Sequence, residues 1–135
     1  MPDTLADFQA VPRGIGIDCV RVSEMRALDE RLGGVFVQGA FTERERELAK
    51  TAADYWQFLA GRFAVKEAVF KALSCKATNP FDYRKVETLK REDGCPLINL
   101  KSIPETALQR AGVTDLLLSI TGEGDYVIAV VQALG

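Results

Sequence analysis

Hydrophobic positions along the chain form one long helical run set among shorter strand-like segments. From Phe58 to Leu73, FLAGRFAVKEAVFKAL, a helix turning about 100° per residue puts Leu59, Phe63, Phe70 and Leu73 on one side, with Phe58, Val65 and Val69 adjoining. Most of its circumference therefore asks for burial, which predicts a central helix beginning near Asp54 and ending before Ser74. Ala60, Ala64 and Ala68 make a small-residue side. Among them stand Glu67 and Lys71 at i,i+4, in the order that favours an ion pair. A carboxylate so placed must meet Lys71, a metal ion or a polar cleft, because burying it unpaired is costly.

Around this helix the pattern alternates or breaks. Residues 1–12 read as a loosely held arm. Gly14–Val22 reads as a strand in which Ile15, Ile17 and Cys19 alternate with Gly16, Asp18, Val20 and Val22. Met25, Leu28 and Leu32 predict a helix over Ser23–Leu32 closed by Gly33-Gly34, and Val35–Phe41 reads as an apolar link. Thr42 with Glu45 three residues on is a capping box opening a helix to about Ala53, and the charges of TERERELAK read as a solvated face. Beyond the central helix come a loop with Asn79-Pro80 as its turn, strands at Val86–Lys90 and Pro96–Leu100 joined through Asp93-Gly94, and a helix Ile103–Ala111 ended by Gly112. Leu116–Ile120 and Tyr126–Val131 follow as strands flanking a Thr121–Asp125 turn. The sum is a single α+β domain over residues 13–135, an antiparallel sheet packed on a long central helix.

Composition narrows the chemistry. With 135 residues, 47% of them hydrophobic and 27% charged, the chain suits one compact globular domain. A net charge of -2 with no dense basic patch argues against nucleic acid and membrane surfaces as partners. No leader-like or membrane-length apolar run is present, which reads as cytoplasmic. Cys19, Cys75 and Cys95 lack CxxC spacing and read as buried free thiols. The chain has no histidine, which removes Ser-His-Asp and Cys-His catalysis and histidine-ligated zinc. Acid–base work falls to carboxylates, lysines or water, and a metal site of Asp and Glu oxygens would suit Mg²⁺.

Three segments at these spacings, GIGID (Gly14–Asp18), LAGRFAVKEAVFKAL (Leu59–Leu73) and LLLSITGEGDYVIAVV (Leu116–Val131), resemble the holo-acyl-carrier-protein synthases, short single-domain 4′-phosphopantetheinyl transferases. The resemblance implies Mg²⁺-dependent transfer of phosphopantetheine from coenzyme A to a serine of an apo acyl carrier protein or carrier-protein domain, releasing 3′,5′-ADP. It implies that Asp18 and Glu67 hold the metal against the pyrophosphate. It implies too that Lys71 faces the phosphates, with Glu67 or a water on the metal as the candidate base. Arg62 and Lys66 are expected to contribute to coenzyme A binding. A homotrimer with the coenzyme A cleft between neighbours is implied as well.

The chain also departs from the family pattern. Thr121 stands where the closing strand usually carries a histidine that helps bind the nucleotide, so Thr121 is expected at that contact and coenzyme A is expected to bind more weakly. Ser74–Ala77 replaces a glycine-bearing turn, and Glu24 replaces an arginine that meets the acidic carrier, so carrier docking is also expected to be weaker. Two readings follow: an active transferase, favoured by Asp18, Glu67 and Lys71 together, and an impaired member acting as a binding or scaffold subunit of a fatty-acid or polyketide pathway.

Overall fold

The computed structural model describes residues 10–73 and 82–135. Strand β1 (Pro12–Arg21) leads into α1 (Val22–Arg31), α2 (Val35–Ala40), α3 (Glu43–Thr51) and the long α4 (Tyr55–Leu73). The hairpin β2 (Glu87–Lys90) and β3 (Pro96–Asn99), α5 (Glu105–Ala111), and the strands β4 (Asp115–Glu123) and β5 (Tyr126–Leu134) complete the chain. Short 3₁₀ turns occupy Tyr83–Lys85 and Leu100–Ser102. The main sheet has the order β1-β5-β4, antiparallel throughout, and α4 lies across one face of it. This is the predicted α+β architecture. The predicted turn at Asn79-Pro80, the Ser74–Ala77 segment and Cys75 fall outside the described residues.

Helix α4 forms where the apolar periodicity places it, with the Asp54 side chain accepting from the Gln57 backbone N–H at 3.0 Å to cap its start. Its alanine side faces the sheet: Ala64, Ala68 and Ala72 are buried together with Ala129, Val131 and Ala133 of β5. A second cluster joins the first half of α4 to the early helices through Met25, Val37, Phe41 and Leu59.

Several local expectations change. Val35–Phe41 is a helical turn rather than a link, because the buried Asp29 accepts from the Val37 N–H at 2.9 Å and caps α2 from eight residues back. Strand β4 runs through Thr121, Gly122 and Glu123, so the turn to β5 shrinks to Gly124-Asp125, with Gly124 at φ 59°. Asp125 then caps α1, accepting from the Ser23 N–H at 2.9 Å. The arm yields its last residues to the sheet, since β1 starts at Pro12 and Val11 exchanges backbone bonds of 2.9 Å with Gly135. Cys19 and Cys95 are exposed free thiols, not buried ones: Cys19 faces out of β1 and Cys95 sits beside the hairpin turn.

The outer and inner faces of the sheet divide unexpectedly. On β1 the apolar Ile15 and Ile17 point outward, 69% and 60% exposed, while Gly14, Gly16, Asp18 and Val20 face α4. The cause is backbone proximity. A Cβ on Gly16 would lie 1.8 Å from the Ala68 carbonyl oxygen, and one on Gly14 2.0 Å from that of Ala72, so only glycine lets the strand and helix meet this closely.

Candidate active site

The same alternation that turns Gly14 and Gly16 inward turns Asp18 inward too, against the second half of α4. There Lys71 Nζ lies 3.3 Å from Asp18 Oδ1 and donates to the Ile17 carbonyl at 2.9 Å. The predicted i,i+4 partner of Lys71, Glu67, instead accepts from the Tyr83 hydroxyl at 2.6 Å. Burial raises the Asp18 carboxyl above its ordinary value, the Lys71 ammonium opposes this, and the nearby Glu67 charge adds to it. The Tyr83 phenol is pushed up to about 12, first by its bond to Glu67 and then by burial. Asp18, Glu67, Lys71 and Tyr83 thus form one electrostatically coupled corner between β1 and α4.

Lys71 has three N–H donors, and two acceptors take two of them, leaving one with no acceptor among the described residues. Its side chain is half exposed, while that of Asp18 is only 20% exposed. The corner therefore pairs half-buried carboxylates with a cation that can reach an incoming anion. Among the described residues no group of three or more His, Cys, Asp or Glu side chains is placed to hold a metal ion.

Lys66 lies elsewhere. It is wholly buried, and its three donors are all taken, by Glu45 Oε1 at 2.8 Å, the Tyr83 carbonyl at 2.9 Å and the Val86 carbonyl at 2.7 Å. With no donor remaining it has nothing to offer a phosphate, so the expected role in coenzyme A binding gives way to a structural one. Glu45, assigned from sequence to a solvated face, is its wholly buried partner. Its capping-box geometry brings the carboxylate inward, where it accepts from the N–H of Thr42 at 2.9 Å and of Thr88 at 3.1 Å.

Arg62 and Thr121 line a separate open cleft of about 680 Å³ beside the first half of α4, together with Gln57, Arg91, Cys95 and Ser119. Arg62 is 7% exposed, its guanidinium rests 4.1 Å above the Phe58 ring, and burial lowers its pKa. Its Nη2 makes a long bond of 3.4 Å to the Leu89 carbonyl, and its buried Nε has no partner among the described residues. A guanidinium at the wall of a cleft suits an anionic ligand group. Tyr83 was missed at the sequence level because no motif ties it to Glu67, 16 residues earlier.

A small antiparallel sheet on a long helix, with an acid of the glycine strand facing an acid and a lysine of the helix, describes a small α+β domain with a charged corner between strand and helix. The chain belongs to the 4′-phosphopantetheinyl transferase superfamily, whose sequence profile matches residues 14–131. It is 36% identical over 122 residues to a holo-[acyl-carrier-protein] synthase of Desulforudis audaxviator, covering 90% of this chain and 92% of that protein. Its fold is similar to the crystal structure of holo-[acyl-carrier-protein] synthase from Neisseria meningitidis, with a TM-score of 0.79 at 27% identity over 91% of this chain and 98% of that one. It is also similar to the Helicobacter pylori synthase in complex with coenzyme A, with a TM-score of 0.76 at 27% identity over 88% and 98% of the two chains.

Proposed function

We propose that this protein transfers 4′-phosphopantetheine from coenzyme A to a serine hydroxyl of an apo acyl carrier protein, releasing 3′,5′-ADP. The observation that carries the reading is the meeting of Asp18, Glu67 and Lys71 at one corner, in a chain of this family. The corner fits Mg²⁺ on its own chemistry. Two carboxylate oxygens are hard ligands, burial first and the Glu67 charge after it raise the Asp18 carboxyl, a cost that a cation would relieve, and two protein ligands leave room for water and diphosphate oxygens. Asp18 and Glu67 would hold the cation there, and it would supply Lewis-acid neutralisation of the diphosphate.

The remaining steps belong to the chain's own residues. Lys71 directs its remaining N–H to a phosphate oxygen and stays anchored through Ile17 and Asp18. The serine oxygen forms a bond to the phosphorus bearing the pantetheine arm, the bond from that phosphorus to the bridging oxygen breaks, and 3′,5′-ADP leaves with the electron pair. Glu67, or a water hydrogen-bonded to it, accepts the serine proton. Arg62 and Thr121, which both line the cleft beside the first half of α4, form the nucleotide side.

The outer sheet face supports a homotrimer with a shared coenzyme A site. Ile15, Ile17, Leu117 and Ile128 share the outer face of the three paired strands and are 69%, 60%, 51% and 38% exposed. No helix among the described residues is long and apolar enough to cross a membrane, and a coenzyme A-consuming chain with exposed free thiols at Cys19 and Cys95 fits a reducing cytoplasm.

The test is the mass of a panel of apo carrier proteins after incubation with coenzyme A, Mg²⁺ and this protein. A gain of one phosphopantetheine is expected, lost on chelation and in Asp18→Ala and Glu67→Ala with the fold intact. A folded protein that transfers to no carrier, while still binding one, would instead be a binding subunit. Light scattering that gives a monomer at every concentration would remove the trimer and the shared site.

A further inference from the structure

Tyr83 is held at both ends by consecutive residues of α4. Its hydroxyl donates to Glu67 Oε1 at 2.6 Å, and its backbone carbonyl accepts from Lys66 Nζ at 2.9 Å. Its ring packs on Phe63, with centroids 5.2 Å apart. Phe63, Lys66 and Glu67 are spaced i, i+3, i+4, so a single stripe of the helix clamps the ring, main chain and phenol of one residue. Lys66 cannot give way easily, since Glu45 and the Val86 carbonyl hold its other donors and Glu45 is itself tied to Thr42 and Thr88. A buried ion pair, Glu45 with Lys66, therefore anchors the main chain of the residue whose phenol meets Glu67, and the bonds form one network.

Stability alone does not call for the last bond in this network. Tyr83 is 36% exposed, so water could satisfy its hydroxyl at little loss. What the bond does achieve is orientation: a donor at 2.6 Å fixes the rotation of the Glu67 carboxylate and leaves its remaining lone pairs for another partner. We infer that Tyr83 is a positioning residue, aligning Glu67 for the cation and the diphosphate. This inference rests on the reading of Glu67 as a metal ligand. Partners of this kind behind a ligand change metal affinity by about 10- to 100-fold, and the partial exposure of Tyr83 places it near the lower end, at about tenfold.

Tyr83→Phe isolates the hydroxyl, because the ring contact with Phe63 and the carbonyl bond from Lys66 both survive. Wild-type, Tyr83→Phe and Glu67→Ala proteins are titrated with Mn²⁺ by electron paramagnetic resonance in the presence of coenzyme A, and the Mg²⁺ concentration giving half-maximal transfer is measured for the first two. The expected result is Mn²⁺ binding about tenfold weaker in Tyr83→Phe. The metal requirement should shift by the same factor, saturating Mg²⁺ should restore most of the turnover, and the thermal midpoint should be nearly unchanged. Equal or tighter Mn²⁺ binding in Tyr83→Phe, with the wild type binding the ion and transferring, overturns the positioning role while leaving the transferase reading intact. A wild type that takes up no Mn²⁺, or takes it up equally well after Glu67→Ala, overturns the metal reading and the role of Tyr83 with it.

Discussion

Replacing Lys66 by methionine preserves the stem of the side chain and removes the charge from the middle of the core. Lys66 and Glu45 are both 0% exposed and 2.8 Å apart, so the change leaves a carboxylate in the interior with only the Thr42 and Thr88 N–H groups as donors among the described residues. It also deprives the Tyr83 and Val86 carbonyls of a donor. Breaking one side of such a pair costs about 3–5 kcal/mol. The unfolding entropy of a 135-residue chain is roughly 0.28 kcal/mol per kelvin, so the midpoint should fall by about 10–18 °C. The pair itself is worth far less than this. Burial lowers the Lys66 pKa and Glu45 only opposes that, so the folded state binds this proton less readily than the unfolded one. The sign is then fixed: the charge is a net cost at neutral pH, removed only as pH rises toward the unfolded value near 10.5. The double change Lys66→Met with Glu45→Gln removes both charges and should recover at least about 2 kcal/mol of the loss expected from summing the single changes. Calorimetric unfolding at fixed protomer concentration measures all three variants. A single change costing under about 1 kcal/mol, or two changes that simply add, would refute the reasoning.

Gly16→Ala should cost about 3 kcal/mol or more, because its Cβ would stand 1.8 Å from the Ala68 carbonyl and backbone must move, and transfer should fall with it as Asp18 shifts two residues away; wild-type stability and activity in this variant would show that the close approach is not needed. Burial raises the Asp18 carboxyl, so in metal-free protein its stabilising proton is fully present below the ordinary value of 3.8 and is lost as pH rises through the higher folded value. Asp18→Asn should therefore flatten the stability profile in the window just above 3.8, as read by chemical denaturation at several pH values. Thr121→His adds an imidazole near the end of β4, on the outer sheet face beside Cys19 and Ile128, and should tighten coenzyme A binding, with wild-type binding weakening in added salt; calorimetry showing no change would place Thr121 outside the nucleotide site.

Periodicity made α4 and the antiparallel strands legible, because burial of an apolar stripe is a local property of the sequence. Partners far apart in the chain were not legible. Thr42 and Glu45 announce a capping box, yet nothing within that helix shows that the same Glu45 carboxylate neutralises Lys66, 21 residues later. Spacing rules list Glu67 as a neighbour of Lys71, but the acid of an adjoining strand competes for the ammonium, and Asp18 takes it. Alternation on β1 separates two faces without saying which is covered. Apolarity alone would bury Ile15 and Ile17, whereas the glycines decide the matter by admitting the backbone of α4.

That decision is also what builds the site. Gly14, Gly16 and Asp18 share one face because a strand repeats every two residues, so the surface that admits α4 at Ala72 and Ala68 must present its next side chain to the same helix. On α4, Glu67 and Lys71 flank Ala68, the residue whose carbonyl crowds Gly16. The contact that brings the two backbones together therefore sets the distance between the acid of the strand and the acid and lysine of the helix. A larger side chain at Gly16 would widen that gap before it disturbed any catalytic group directly. The run GIGID thus joins packing to chemistry: its glycines set how closely the elements approach, and its aspartate uses that approach.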